Sequence, residues 1–317
     1  MYKIKNILCP TDFSEASIAA IRYALLFIKH YKATLTLLFV DEYEQTPLGA
    51  FGSDPEMQRK HRVQSSAFAD EQFRKIITML NIDKDRVRTV VRFGAAYKEI
   101  VLEAEEVDYS AVIISVLGIG NSTPHLIGRT AERIVRLCRV PVITLRPDNE
   151  NPFSDIKNIL VPTDFSEYSN YSLPYAIAFA LAFHAKLILL HITDLSVSEE
   201  YLSRIQFPDL ITYDERAKSI AVEQFATRDV EPDNSIVNVA EDRKVDLIVM
   251  GTHGARGMRR TQIGNTTEEV VRRVTVPVLS ITHPVHKMIF PRRFNEPLEQ
   301  IPKVKDSPKM RKGIEHG

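Results

Sequence analysis

The chain has 317 residues, more than one typical domain needs and comfortable for two. With 44% hydrophobic and 26% charged residues its composition is that of a globular protein, which sets aside disordered and fibrous architectures. Lys plus Arg and Asp plus Glu both total 41, so no net field recruits nucleic acid or an anionic membrane, and no apolar run approaches the roughly 20 residues of a membrane span.

In chain order, Met1-Tyr2-Lys3-Ile4 leads directly into an apolar run without the regions of a signal peptide, so the cytoplasm is the expected compartment. Residues 4–9, 34–40, 111–115 and 141–145 are continuously apolar or β-branched, as strands buried on both faces should be. Between the first two, residues 14–29 carry Ile18, Ile21, Leu25 and Ile28 at helical spacing, with Ser14 as the expected N-cap. Around 147–154 Pro, Asp, Asn, Glu and Ser replace the apolar periodicity, marking a linker. Strand-like runs then return at 156–161, 186–192, 247–250 and 277–281. From 284 onward the chain reads as a tail with several prolines, in which eight Lys and Arg outnumber four acids. The two cysteines, Cys9 and Cys138, have no CxxC or Cys/His ligand spacing and read as inert thiols.

The second half copies the first. Ile4-Lys5-Asn6-Ile7-Leu8-Cys9-Pro10-Thr11-Asp12-Phe13-Ser14-Glu15 recurs as Ile156-Lys157-Asn158-Ile159-Leu160-Val161-Pro162-Thr163-Asp164-Phe165-Ser166-Glu167, a spacing of 152 positions. The same spacing takes Val40 to Ile192 and Glu71-Gln72-Phe73 to Glu223-Gln224-Phe225. The expected layout is residues 1–147, 154–283 and the tail 284–317, with each copy a doubly wound parallel sheet covered by helices. Beyond Phe225 the second copy is short by about 16 residues, judged from Ile100 and its counterpart Ile236. The missing stretch corresponds to 81–93, so the second copy is expected to lack its third strand and to leave a sheet edge open or otherwise covered.

In such a sheet a ligand sits beyond the strand ends where the strand order reverses. Two segments of the second copy fall there. One is Pro162-Thr163-Asp164; the other follows Met250 as Gly251-Thr252-His253-Gly254, nine residues, then Gly264-Asn265-Thr266. Glycines at 251 and 254 permit close backbone approach, and amides and hydroxyls at the start of the helix expected over 266–274 suit a polyphosphate. Arg256, Arg259 and Arg260 add charge within the loop, and Asp164 offers acceptors to an adenine amino group or a ribose. The bland alternatives are tight turns for the glycines and turn stabilisation for Asp12 and Asp164. His191 aligns with Phe39 and reads as a packed side chain, His253 as a loop residue, and Ser14 and Ser166 as helix caps rather than nucleophiles.

The Pro-Thr-Asp-Phe-Ser start, the Leu-Leu-His-Ile strand end, the Val-Met-Gly-Thr-His-Gly loop and the Val-Pro-Val-Leu final strand resemble the universal stress protein family across nearly all of 1–283. The resemblance implies a Rossmann-like, adenine nucleotide alpha hydrolase-like fold in each copy. Its ATP-binding members share Gly, two residues, Gly, nine residues, Gly, then Ser or Thr. By resemblance Thr163, Asp164 and Ile192 meet the adenine side, Gly251, Gly254, Gly264, Asn265 and Thr266 hold ribose and phosphates, with Asn265 standing where the family has a hydroxyl, and Pro162 and Met250 complete the nucleotide site. The first copy departs further, with Ser115 for the first glycine, then Gly118 and Gly128, and Arg129 for the hydroxyl. Arg129 is expected to fill the pocket or pair with an acid.

The family reading is a stress-response regulatory protein that binds ATP, with or without Mg²⁺, in its second copy. A slow ATPase on the same site and a nucleotide-free interaction scaffold stay open beside it. The sequence has no Gly-x-x-x-x-Gly-Lys-Ser/Thr loop and no positioned general base. The resemblance also implies pairing through the last strands, 140–145 and 276–281, as an intramolecular pseudo-dimer, with a homodimer of chains open and the protein partner unspecified.

Overall fold

The computed structural model describes residues 2–43, 54–118, 127–147, 155–253 and 265–284; the tail beyond lies outside them. In the first half β1 (Asn6–Pro10), α1 (Glu15–Tyr31), β2 (Thr34–Asp41), α2 (Pro55–Met79), β3 (Val87–Phe93), α3 (Ala96–Glu106), β4 (Ala111–Ser115), α4 (Arg129–Leu137) and β5 (Val142–Leu145) follow in order. The second half runs β6 (Asn158–Pro162), α5 (Glu167–Asn170), α6 (Leu173–Phe183), β7 (Lys186–Thr193), α7 (Glu199–Ser203), β8 (Val222–Arg228), α8 (Pro232–Asp242), β9 (Leu247–Gly251), α9 (Asn265–Arg273) and β10 (Val278–Ile281). Ten strands form one sheet in the order β3-β2-β1-β4-β5-β10-β9-β6-β7-β8. Pairing is parallel everywhere except between β5 and β10, where Val278 faces Thr144 and Ser280 faces Val142 in antiparallel register. Each half therefore has the order 3-2-1-4-5 of a doubly wound sheet.

Local chemistry explains the repeat. Ser14 and Ser166 cap the first helix of each half, accepting from the amides of Ser17 and Ser169 at 3.2 Å. Phe13 and Phe165 both adopt positive φ, 65° and 62°, in the turn between strand and helix. A bulky side chain there costs of order 1–3 kcal/mol and persists only where packing over-determines it. The Phe13 ring stacks on Phe39 at 4.8 Å; the Phe165 ring stacks on His191 at 4.2 Å. One local difference follows from Pro174, which has no amide proton to offer the preceding turn. The second half accordingly splits into α5 and α6 where the first half has the continuous α1.

The third strand of the second half is present, contrary to the expectation from spacing. β8 pairs with β7 from Leu187–Val222 to Thr193–Arg228. In the first half the equivalent pair begins at Leu35–Val87, an offset of 135 rather than 152, so seventeen residues are lost before the strand. The segment removed belongs to the long helix: α2 has 25 residues, whereas α7 has 5 and is followed by two short 3₁₀ segments. The recurring Glu-Gln-Phe triplet is coincidental, since Glu71–Phe73 lie in α2 and Glu223–Phe225 in β8.

The halves share a core. α1 and α6 meet through Phe27 and Phe179, whose rings lie edge to face at 5.7 Å, and Tyr2 stacks on Phe179 at 6.1 Å. Leu279 on β10 and Ile143 on β5 are fully buried and directly opposed. Cys9 and Cys138 are buried and form no disulfide with each other, and burial pushes the Cys9 thiol pKa up, in line with an inert role for Cys9. Phe179→Ala is expected to cost about 3–5 kcal/mol in urea unfolding, because a fully buried aromatic shared by both halves leaves a cavity that neither can fill. A loss below about 1 kcal/mol would show that the halves do not depend on this contact.

Candidate functional site

The site is built where β6 parts from its two neighbours. Pro162 lies opposite Leu190 on β7, and the pairs Ile159–Leu247 and Leu160–Ile248 set the register with β9. Extending both registers brings Asp164 level with Ile192 and Pro162 level with Met250. Pro162 and Met250 are buried, Ile192 is half-buried against an apolar cluster that includes Leu190 and Met250, and Asp164 is exposed at the rim.

Thr163 is committed to the turn. Its amide donates to the Leu190 carbonyl at 2.8 Å, and its Oγ1 accepts from the Phe165 amide at 3.0 Å and donates to Asn170 Oδ1 at 2.9 Å. Asp164 Oδ1 accepts from the Ser166 amide at 3.0 Å and from Ser166 Oγ at 2.6 Å. One carboxylate oxygen thus stabilises the turn, as the bland reading expected, and fixes the direction of the other. Ser166 Oγ is a cap and a donor within this turn.

Gly251 has a reason of its own. A β-carbon there would lie 2.9 Å from the Tyr168 carbonyl oxygen and 3.4 Å from Ser169 Cα, so the glycine lets the backbone of α5 close onto the end of β9. Thr267 Oγ1 donates to the Gly251 carbonyl at 3.0 Å and ties the first turn of α9 to the same strand end. Thr266 is half-buried beside it, and Asn265 is the first residue of α9. Thr252 and His253 are buried, with the Thr252 hydroxyl 3.0 Å from His253 Nδ1. Gly254, Gly264 and the arginines between them lie outside the described residues.

In the first half the chain after β4 lies close to the turn that follows β1. A β-carbon on Gly118 would sit 3.0 Å from Asp12 Oδ2, so the chain after β4 passes directly over the carboxylate that corresponds to Asp164. Ser115 Oγ accepts from the Leu117 amide at 3.2 Å, folding this loop back on itself. Arg129 is exposed at the start of α4 and does not fill a pocket.

A polar cluster absent from sequence reasoning stands at the end of β2. Asp41 accepts from His61 Nε2 at 2.9 Å, from Ser65 Oγ and from the Tyr43 amide at 2.7 Å, and the Tyr43 ring stacks on His61 at 4.1 Å. Burial pushes the Asp41 carboxyl up, but hydrogen bonds from Ser65, the Tyr43 amide and His61 outweigh it and hold the group below its ordinary value. This cluster fixes α2 to β2; the matching connection of the second half has only the five-residue α7 and two short 3₁₀ segments.

The universal stress protein family model matches residues 3–146 and again 155–281. The chain belongs to the universal stress protein family. Universal stress protein MJ0531 of Methanocaldococcus jannaschii is 33% identical over 141 residues, covering 40% of this chain and 83% of the relative. Universal stress protein MJ0577 of the same organism is 29% identical over 154 residues, 39% of this chain and 94% of the relative. The crystal structure of a universal stress protein from Archaeoglobus fulgidus superposes with a TM-score of 0.65 at 21% identity, over 89% of this chain and 97% of that one. That likeness extends over both halves and agrees with a two-copy α/β universal stress protein fold.

Replacing Gly251 by Ala is expected to lower stability by about 1–3 kcal/mol, since the new methyl group forces backbone atoms of α5 apart from β9. Thermal unfolding reads this, and an unchanged midpoint would mean that α5 does not pack on the strand end.

Proposed function

We propose that this chain is a regulatory stress protein whose second half, residues 154–283, binds an adenine nucleotide at the β6/β9 strand ends. The observation that carries the reading is a convergence at the switch point of the sheet. An exposed carboxylate held in a fixed turn, Asp164, stands beside a strand end, Gly251, to which the start of α9 is tethered. Helix amides attract phosphate, the carboxylate accepts hydrogen bonds from ribose or an adenine amino group, and half-buried Ile192 offers an apolar surface to the base. ATP, with or without Mg²⁺, is the ligand class that these groups and the family's glycine spacing suit. On this reading Gly254, Gly264, Asn265 and Thr266 cradle the phosphates and Pro162, Thr163 and Met250 form the floor.

The first half, residues 1–147, is read as the structural partner, because Ser115 and Arg129 stand where the second half has Gly251 and Asn265. The β5–β10 pairing makes the chain its own pseudo-dimer in this scheme, which operates in the cytoplasm. No helix among the described residues is long and apolar enough to cross a membrane. Binding rather than turnover is favoured because the nearby hydroxyls of Thr163, Ser166 and Ser169 are engaged in the turn.

Calorimetric titration with ATP, with and without Mg²⁺, is expected to give one site per chain. Gly264→Val should abolish it by obstructing the phosphate loop, and Asp164→Ala should weaken it about tenfold through loss of a charge-assisted hydrogen bond. Absence of heat at millimolar ATP would overturn the reading, and two sites per chain would overturn the structural role given to the first half.

A further inference from the structure

We propose that His191 is a positioning residue for the Thr163-Asp164-Phe165 turn, acting through a hydrogen bond that the first half of the chain does not have. The inference rests on the nucleotide reading for its consequence but on the turn itself for its geometry. His191 Nδ1 lies 2.8 Å from the Thr163 carbonyl oxygen. A carbonyl only accepts, so Nδ1 carries the proton and the ring is held in one tautomer. The same ring stacks on Phe165 at 4.2 Å with an interplanar angle of 19°. Phe165 in turn abuts Phe207, edge to face at 5.4 Å.

The bond acts on a strained turn. Phe165 sits at φ 62°, where a bulky residue is strained, and Asp164 immediately precedes it. Without the bond to its carbonyl, the Thr163–Asp164 peptide is held only by packing and by the Ser166 contacts, as in the first half, and the direction of the Asp164 carboxylate is set less narrowly. In the first half Phe39 occupies the matching place and stacks on Phe13 at 4.8 Å, so packing alone suffices to hold a positive-φ Phe. The hydrogen bond is the element added in the half that carries the proposed site. Two interactions are thereby separable by substitution: Phe at 191 keeps the stack and removes the donor, whereas Asn keeps a donor at the position of Nδ1 and removes the stack.

The test uses the full chain and the variants His191→Phe and His191→Asn. ATP titration and amide hydrogen exchange at Phe165 and Ser166 are measured on each, and the imidazole ¹⁵N shifts are measured on the unsubstituted chain. The expected result is an Nδ1-protonated ring in the unsubstituted chain. His191→Phe should fold with a near-unchanged unfolding midpoint, weaken ATP binding about fivefold and speed exchange at the two turn amides by a similar factor. His191→Asn should retain both affinity and protection within about twofold. An Nε2-protonated ring, unchanged exchange in His191→Phe, or loss in His191→Asn equal to that in His191→Phe would each overturn the proposal. If the unsubstituted chain binds no ATP, the nucleotide reading fails, and the exchange rates alone decide whether His191 positions the turn.

Discussion

Everything in the architecture depends on the short antiparallel contact between β5 and β10. Parallel pairing within each half leaves β5 and β10 as edges with unsatisfied backbone groups, and three opposed residue pairs close those edges against one another. The contact is small in length but buried: Val142, Ile143, Val278 and Leu279 are each at most 1% exposed. Arg146 extends it, reaching the carbonyl of Arg272 at the end of α9. Because the strands run in opposite directions, the carboxyl ends of the two five-stranded units point opposite ways. The two halves can therefore diverge in chemistry without obstructing each other.

They have diverged around a constant frame. Positive φ recurs at Phe13 and Phe165, at Lys32 and His184, and at Asp108 and Lys244, so the punctuation of the backbone is duplicated along with the strands. What differs lies at strand ends and on helices. Ser115 becomes Gly251, and with the β-carbon gone α5 closes onto β9. Phe39 becomes His191, and an apolar stack becomes a stack with a hydrogen bond. The long α2, anchored through Asp41, His61 and Ser65, gives way to α7 and short 3₁₀ segments. Each change acts on surroundings of the turn that follows the first strand of its half, leaving the buried strands unaltered in kind.

Much of this was legible in the sequence. Runs of β-branched and aliphatic residues gave eight strands to within two residues at their ends, because strands buried on both faces admit little else. Ser14 and Ser166 read as caps since a hydroxyl before an apolar-periodic run satisfies otherwise orphaned amides. β8 was not legible: Glu223, Gln224 and Arg228 interrupt its apolar residues, and an edge strand, wet on one side, tolerates them. A chance Glu-Gln-Phe match at the repeat spacing then placed the deletion after Phe225, where the third strand was counted as lost. The reason for Gly251 was hidden as well, because the atoms it makes room for belong to Tyr168 and Ser169, more than eighty positions earlier.

The amino-acid sequence by itself determined the duplication, the α/β class, the turn chemistry and the neighbourhood of Thr163–Asp164 with Met250–Gly251, since each is set by local periodicity or by strand order. Only the tertiary structure decided that the deletion shortened the helical connection and spared a strand, that Gly118 lies against Asp12, and that His191 grips the Thr163 carbonyl. Those outcomes rest on contacts between residues far apart in the chain, whose distances are fixed by packing and leave no periodic trace in the order of the residues.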